Sequence, residues 1–259
     1  MREAEHTEVG RWLAQHGLEG TEPTQLLAAR LAVRRRAKLL DSILLAAFLI
    51  GAALTHAWKG FPAGSASRLP LLVLVALAIG LLVGQWLLGW WVRRVDRRAG
   101  ARLPRRVAHP AELGWPAVLG RPYAAFTVAT YTAALLLTVS VLPIRDPDLR
   151  FGAIVVLIGL AAAATSLIMQ LRQVLTSPAV AQDEASLTAD VVMRVEDARA
   201  LATPSLVWML PAIFLYGDEL GWWNAVALAL VVAGAVTLGL LQSRTIAVGS
   251  AARQALVAR

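Results

Sequence analysis

Six stretches of this chain are apolar over about the length of a bilayer crossing, and arginine-rich segments precede the first and follow the second. A hydrocarbon core about 30 Å thick needs roughly 20 helical residues to cross it. The spans fall at 39–58, 69–92, 123–142, 151–171, 200–217 and 223–241. The fifth is the weakest, because its strictly apolar part is 206–216 and the rest of its length comes from 200–205. Lipid offers the backbone no hydrogen-bond partner, so segments of this kind close their bonds internally as helices. The sequence therefore predicts an all-α integral membrane protein, with six transmembrane helices arranged as three helical hairpins.

Composition excludes a water-soluble core. The chain is 58% hydrophobic and 16% charged, with a mean hydropathy of +0.61, whereas soluble domains are about half apolar and about a quarter charged. A net charge of +8 would suggest a nucleic-acid partner in a soluble protein. Here the charge is juxtamembrane, and no nucleic acid is expected. Arg34, Arg35, Arg36 and Lys38 precede the first span, while Arg93, Arg94, Arg97, Arg98, Arg102, Arg105 and Arg106 follow the second.

Cytoplasmic loops retain positive charge, which makes these clusters a topology signal. The opposite connections hold only Lys59, Arg68, Arg145 and Arg150, which leaves 21 of the 25 basic residues on one side. Both termini are expected in the cytoplasm. Trp58, Trp222 and Trp223 then mark the outer boundary, and Trp86, Trp90 and Trp91 the inner one. The polar, acidic first ten residues do not read as a cleavable signal peptide. A bias toward arginine, alanine, leucine and valine, with two lysines, associates the chain with a bacterial plasma membrane.

The layout is a short cytoplasmic segment at 1–38, a transmembrane domain at 39–243 with cytoplasmic loops 93–122 and 172–199, and a cytoplasmic tail at 244–259. Val9, Trp12, Leu13 and His16 share a helical face in the first segment, Gly17 and Gly20 break it, and Thr21 and Pro23 open a helix that runs into the first span. In the second loop Asp190 and Arg194 stand at i and i+4, a pair worth a few tenths of a kcal/mol on an exposed helix. Small residues recur every fourth position at Ala76, Gly80 and Gly84, and at Ala225, Ala229, Ala233 and Thr237. Such ridges predict faces buried against other helices. Gln85, Gln170 and Gln242 stand near the cytoplasmic ends of the three returning spans.

Catalytic signatures are sparse. There is no cysteine, and His6, His16, His56 and His109 are scattered without zinc-site spacing. No phosphate-binding glycine loop or nucleophile elbow is found. No catalytic, cofactor-binding or metal site is assigned, and an enzyme is the less favoured class. Thr127, Tyr131 and Thr138 share a face of the polar third span and are candidates for a cavity or substrate path. Pro204 and Pro211, seven apart on the fifth span, join them because proline frees backbone carbonyls. Arg93, Arg94, Arg97 and Arg98 are candidates for contact with anionic lipid at the cytoplasmic face or with an acidic protein partner.

The leading functional expectation is an accessory or permease-like subunit acting with partner proteins, for example an ATPase, through the arginine loop and the helix after Ser186. The alternative is a secondary transporter or carrier of a neutral or amphiphilic small molecule. A membrane-embedded enzyme comes third, and would require Asp183, Glu184, Asp190 and His109 to converge at the cytoplasmic mouth. A homo-oligomer is compatible with all three.

Overall fold

The computed structural model describes residues 3–18, 21–59, 69–101, 119–176, 184–203, 205–214 and 221–244. They form eight helices: α1 (Glu3–Gln15), α2 (Gln25–Lys59), α3 (Leu69–Ala101), α4 (Arg121–Val141), α5 (Pro147–Thr176), α6 (Glu184–Leu201), α7 (Ser205–Phe214) and α8 (Trp222–Arg244). No strand occurs among the described residues. Five of the helices, α2, α3, α4, α5 and α8, are long and apolar enough to cross a membrane.

Local signals set several boundaries. Gly17 takes a positive φ of 70° and lets the Leu18 amide turn back to the Leu13 carbonyl at 2.9 Å, which closes α1 in the manner of a helix-terminating glycine. The Thr24 hydroxyl receives the Leu27 amide at the start of α2. Asp146 caps α5, its carboxylate accepting the Asp148 amide at 2.8 Å, with Pro147 at the position where a missing N–H costs nothing.

α2 and α3 run antiparallel along most of their lengths. Gly51 faces Leu77 and Gly84 faces Leu44; further along, Gln85 Nε2 donates to Asp41 at 3.0 Å, and Arg34 meets Asp96. With 35 and 33 residues, each helix rises about 50 Å, well beyond a hydrocarbon core. The surplus lies at the arginine-bearing end. A central core joins α2, α3, α4, α5 and α7 through Phe48, Leu74, Ala134, Val156, Leu160 and Leu210. At the end remote from the arginine clusters of α2 and α3, Val141 and Ala153 are packed by Trp223, whose indole N–H donates to Ser140 Oγ at 3.0 Å.

The outer faces are apolar. Ile43, Ile50 and Leu54 on α2, and Leu228, Val232 and Val236 on α8, are all exposed. Only 11–33% of the residues in the five apolar windows are buried within the protein. Such belts belong in lipid, and the chain is a multi-pass α-helical membrane protein.

Three sequence expectations require revision. The expected span 200–217 is not one helix: α6 ends at Leu201, residues 202–203 are non-helical, and α7 is a separate ten-residue helix rising only about 15 Å. The small-residue ridges are helix contacts only at Gly84, which faces Leu44 of α2. Ala76, Gly80, Ala225, Ala229, Ala233 and Thr237 are exposed, while Ala227 and Gly234 are the small residues of α8 that are buried. Nor is α6 an exposed helix, since residues 189–195 are buried without interruption.

Gly234 explains how so short a helix as α7 docks. The indole of Trp208 lies where a Cβ at 234 would be, and meets Phe126 edge-on at 6.4 Å between centroids. Gly234→Ala should therefore destabilise the protein by about 1–3 kcal/mol, the usual cost of overfilling a packed site, read by thermal unfolding in micelles. Gly80→Ala, with nothing within 4 Å of the new methyl, is the control that should leave the transition in place.

Candidate functional site

Where α2 and α3 extend past their apolar parts, they meet α6 through charge. Arg30 Nη2 donates to Asp190 at 2.6 Å and its Nε to Asp96 at 2.9 Å. Arg34 bridges Asp96 at 2.7 Å and Asp197 at 2.9 Å, and Arg194 closes the set on Asp190 at 2.8 Å. Three arginines balance three aspartates. Arg30, Arg34, Arg194 and Asp190 are all buried, so the attraction acts in a poorly screened environment, and loss of one partner would strand a buried charge.

Apolar contacts surround this cluster and fix a cap. Val9 and Leu13 of α1 pack with Leu27 of α2 and with Ala189 and Met193 of α6. Trp12, Leu18 and Leu171 cover Val191 and Val195. The predicted amphipathic stretch is thus a packed part of the structure, and α6 turns its surface toward its own chain.

His16 fastens α1 to α6. Its Nδ1 lies 2.7 Å from the Trp12 carbonyl, which can only accept, while Nε2 faces Glu196 at 3.2 Å. The imidazolium form, in which both ring nitrogens donate, satisfies the two contacts together. Burial opposes that charge, but the bonds to Glu196 and the Trp12 carbonyl outweigh it and raise the histidine above its ordinary 6.5. Burial likewise opposes ionisation of Glu196, yet the His16 bond and the positive Lys38 and His16 hold it below its ordinary 4.5.

Beneath the charge cluster lies a cavity of about 340 Å³, within the range of small-molecule sites. Its wall includes Arg34 and Asp197, which belong also to the ion cluster, and Thr203 from the break between α6 and α7. Apolar residues from α3, α5 and α7, among them Leu82, Leu167 and Val207, line the rest. Asp41 is engaged by Gln85; Gln170 donates to Ser166 at 2.9 Å and accepts a long bond from Arg93 at 3.4 Å.

The residues singled out from sequence are dispersed. Tyr131 lines the cavity, as does Arg93. The Thr127 hydroxyl lies 2.8 Å from the Tyr123 carbonyl and 2.7 Å from that of Ala202, so it serves a carbonyl left open at the end of α6. Thr138 is fully buried and donates to the Ala134 carbonyl at 2.7 Å, as threonines in membrane helices commonly do. Pro211 is buried inside α7, away from the cavity wall, and Pro204 lies outside the described residues. Arg94 is exposed, with its guanidinium 5.0 Å from the Trp90 ring. Arg97 and Arg98 are exposed as well.

Asp190, assigned a role in an enzyme site, is instead held between Arg30 and Arg194, while His109 and Asp183 lie outside the described residues. No cluster of metal-ligating side chains occurs among the described residues. Sequence reasoning missed Arg30, Asp190 and Asp197 as a unit. The available signal was charge at helical spacing inside the apolar run of α6, with Arg30 and Arg34 one turn apart on α2. Comparison with known proteins returns no match to any family model, curated protein or solved structure.

The His16–Glu196 pair makes cap stability depend on pH. A raised histidine contributes fully below about 6.5 and loses its contribution as pH rises through the folded value; a lowered glutamate contributes above about 4.5 and fails as pH falls through its folded value. Docking of α1 should therefore be firmest between about pH 4.5 and 6.5. Hydrogen exchange of the α1 amides should show maximal protection in that window and loosen toward pH 8, with His16→Ala abolishing the loosening on the alkaline side.

Proposed function

We propose that this protein is a permease-like membrane component that binds a small amphiphilic molecule in the cavity at its arginine-bearing end. The observation that carries the reading is the position of the interrupted crossing. Non-helical backbone at membrane depth is tolerated where it is buried in protein or borders a cavity, and broken helices often build transporter sites. Here Thr203, in the break, borders the cavity together with Tyr131 and Gln170.

The same contacts support six crossings, the fifth being discontinuous, in three hairpins. Ala202 stands beside Thr127, near the arginine end of α4. The carbonyl of Ile213 accepts from His56 Nε2 at 2.8 Å, near the opposite end of α2. α8 then starts beside Ser140 at that far end. Ala202 and Ile213 thus lie toward opposite ends of the bundle, as a fifth, discontinuous crossing would require. By the positive-inside rule we take the arginine end and both termini as cytoplasmic, and the membrane as a bacterial plasma membrane. Exposed Arg94, Arg97 and Arg98 suit anionic lipid or an acidic subunit, whereas α6 is covered by α1 and α2 and offers a partner little surface.

The reading is tested by native mass spectrometry of the protein released from zwitterionic nanodiscs, with decyl phosphate, decanoate, decylphosphocholine and decyl glucoside as probes. At least one should form a saturable one-to-one adduct. Ala163→Phe, which fills the cavity wall, should abolish it. The absence of any adduct, or adducts indifferent to the substitution, contradicts the reading.

A further inference from the structure

The cavity wall is chemically asymmetric in a way that selects one class of amphiphile. It carries three cations, Arg34, Lys38 and Arg93, and two carboxylates, Asp41 and Asp197. Arg34 is neutralised by Asp96 and Asp197, and Asp41 accepts from Gln85. Among the described residues, neither Arg93 nor Lys38 forms an ion pair. Arg93 is partly buried, and its one side-chain hydrogen bond among the described residues, to Gln170, is 3.4 Å long, at the outer limit of such bonds. Lys38 stands exposed on the same wall.

The backbone leaves room for this group. A Cβ on Gly89 would lie 2.6 Å from Gln170 Oε1 and 3.1 Å from Arg93 Nη1. Glycine at 89 therefore lets the guanidinium and the amide approach α3 closely beside the cavity. Deeper along α3, Leu82 stands about 16 Å from Arg93 by helical rise, and with Leu167 and Val207 it supplies the apolar part of the wall.

We propose that Arg93, with Lys38 on the same cavity wall, is the receptor for the anionic head group, phosphate or carboxylate, of a single-chain amphiphile whose tail lies along Leu82, Leu167 and Val207. Guanidinium and ammonium donors match an oxyanion, and a charge-assisted bond in a partly desolvated site is stronger than a neutral one. The inference rests on the cavity being a binding site, and it adds the sign of the ligand's charge and the residues that read it.

The same nanodisc assay separates the two claims. Decyl phosphate and decanoate should bind at least about tenfold more tightly than decyl glucoside or decylphosphocholine, the ratio expected from one charge-assisted contact. Arg93→Gln should erase that preference. Gly89→Ala should diminish it while keeping every charge, and Arg93→Lys should retain part of it; unfolding temperatures establish that each variant is folded. Inorganic phosphate at equal concentration should not displace decyl phosphate. Equal binding of all four probes, a preference unaltered in Arg93→Gln, or displacement by inorganic phosphate alone would overturn the inference and leave the cavity reading in place. Failure of every amphiphile to bind removes both.

Discussion

A buried cluster of opposite charges organises the arginine-bearing end of this protein. Arg30 and Arg34 on α2 reach Asp96 on α3 and Asp190 and Asp197 on α6, joining segments as far as 163 residues apart in sequence. Apolar contact alone would press α6 against α1 and α2 without fixing its rotation, because Val191, Val192 and Val195 present similar surfaces. Hydrogen bonds from guanidinium to carboxylate are directional, and any displaced register leaves a charge buried without a partner. The cost of that mismatch, several kcal/mol, is what selects one arrangement. By contrast, the exposed Arg35–Glu8 pair is of a kind that contributes little, a median of about 0–1 kcal/mol.

The cluster connects to the membrane part through shared residues. Arg34 and Asp197 stand both in the charge network and on the cavity wall, and α6 ends directly at the break that borders the cavity. The position of the cap and the shape of the cavity are therefore linked. α1, held by Leu13, Val9 and the His16 bridge, supports the outer side of α6 and so belongs to the same structural unit.

How much of this was legible in sequence depended on which force dominates each element. The crossings at 39–58, 69–92, 123–142, 151–171 and 223–241 are set by transfer of long apolar segments from water, a signal that adds along the chain and needs no partner, and each lies within a helix long enough to cross or overlaps one almost fully. The segment 200–217 failed as a single helix because its outcome depends on local breaks and on pockets made by others, Gly234 for Trp208 and Thr127 for the Ala202 carbonyl. α6 misled for a related reason. Asp190 and Arg194 have the look of a solvated pair, and only Arg30, 160 residues from Asp190, makes their burial tolerable. Of the candidate site residues, Tyr131 and Arg93 do reach the cavity, but nothing in their own spacing announced it, since its walls come from six separate helices.

The role given to the charge cluster is most directly tested by a double-mutant cycle on Arg30 and Asp190, with Arg30→Met, Asp190→Asn and the pair together, measured by unfolding in mixed micelles. Each single change should cost about 3–5 kcal/mol, and the double should cost less than the singles combined by at least about 1–3 kcal/mol. Effects that add to within about 0.5 kcal/mol would mean that the two side chains act independently, and that something other than this charge cluster holds α6 in place.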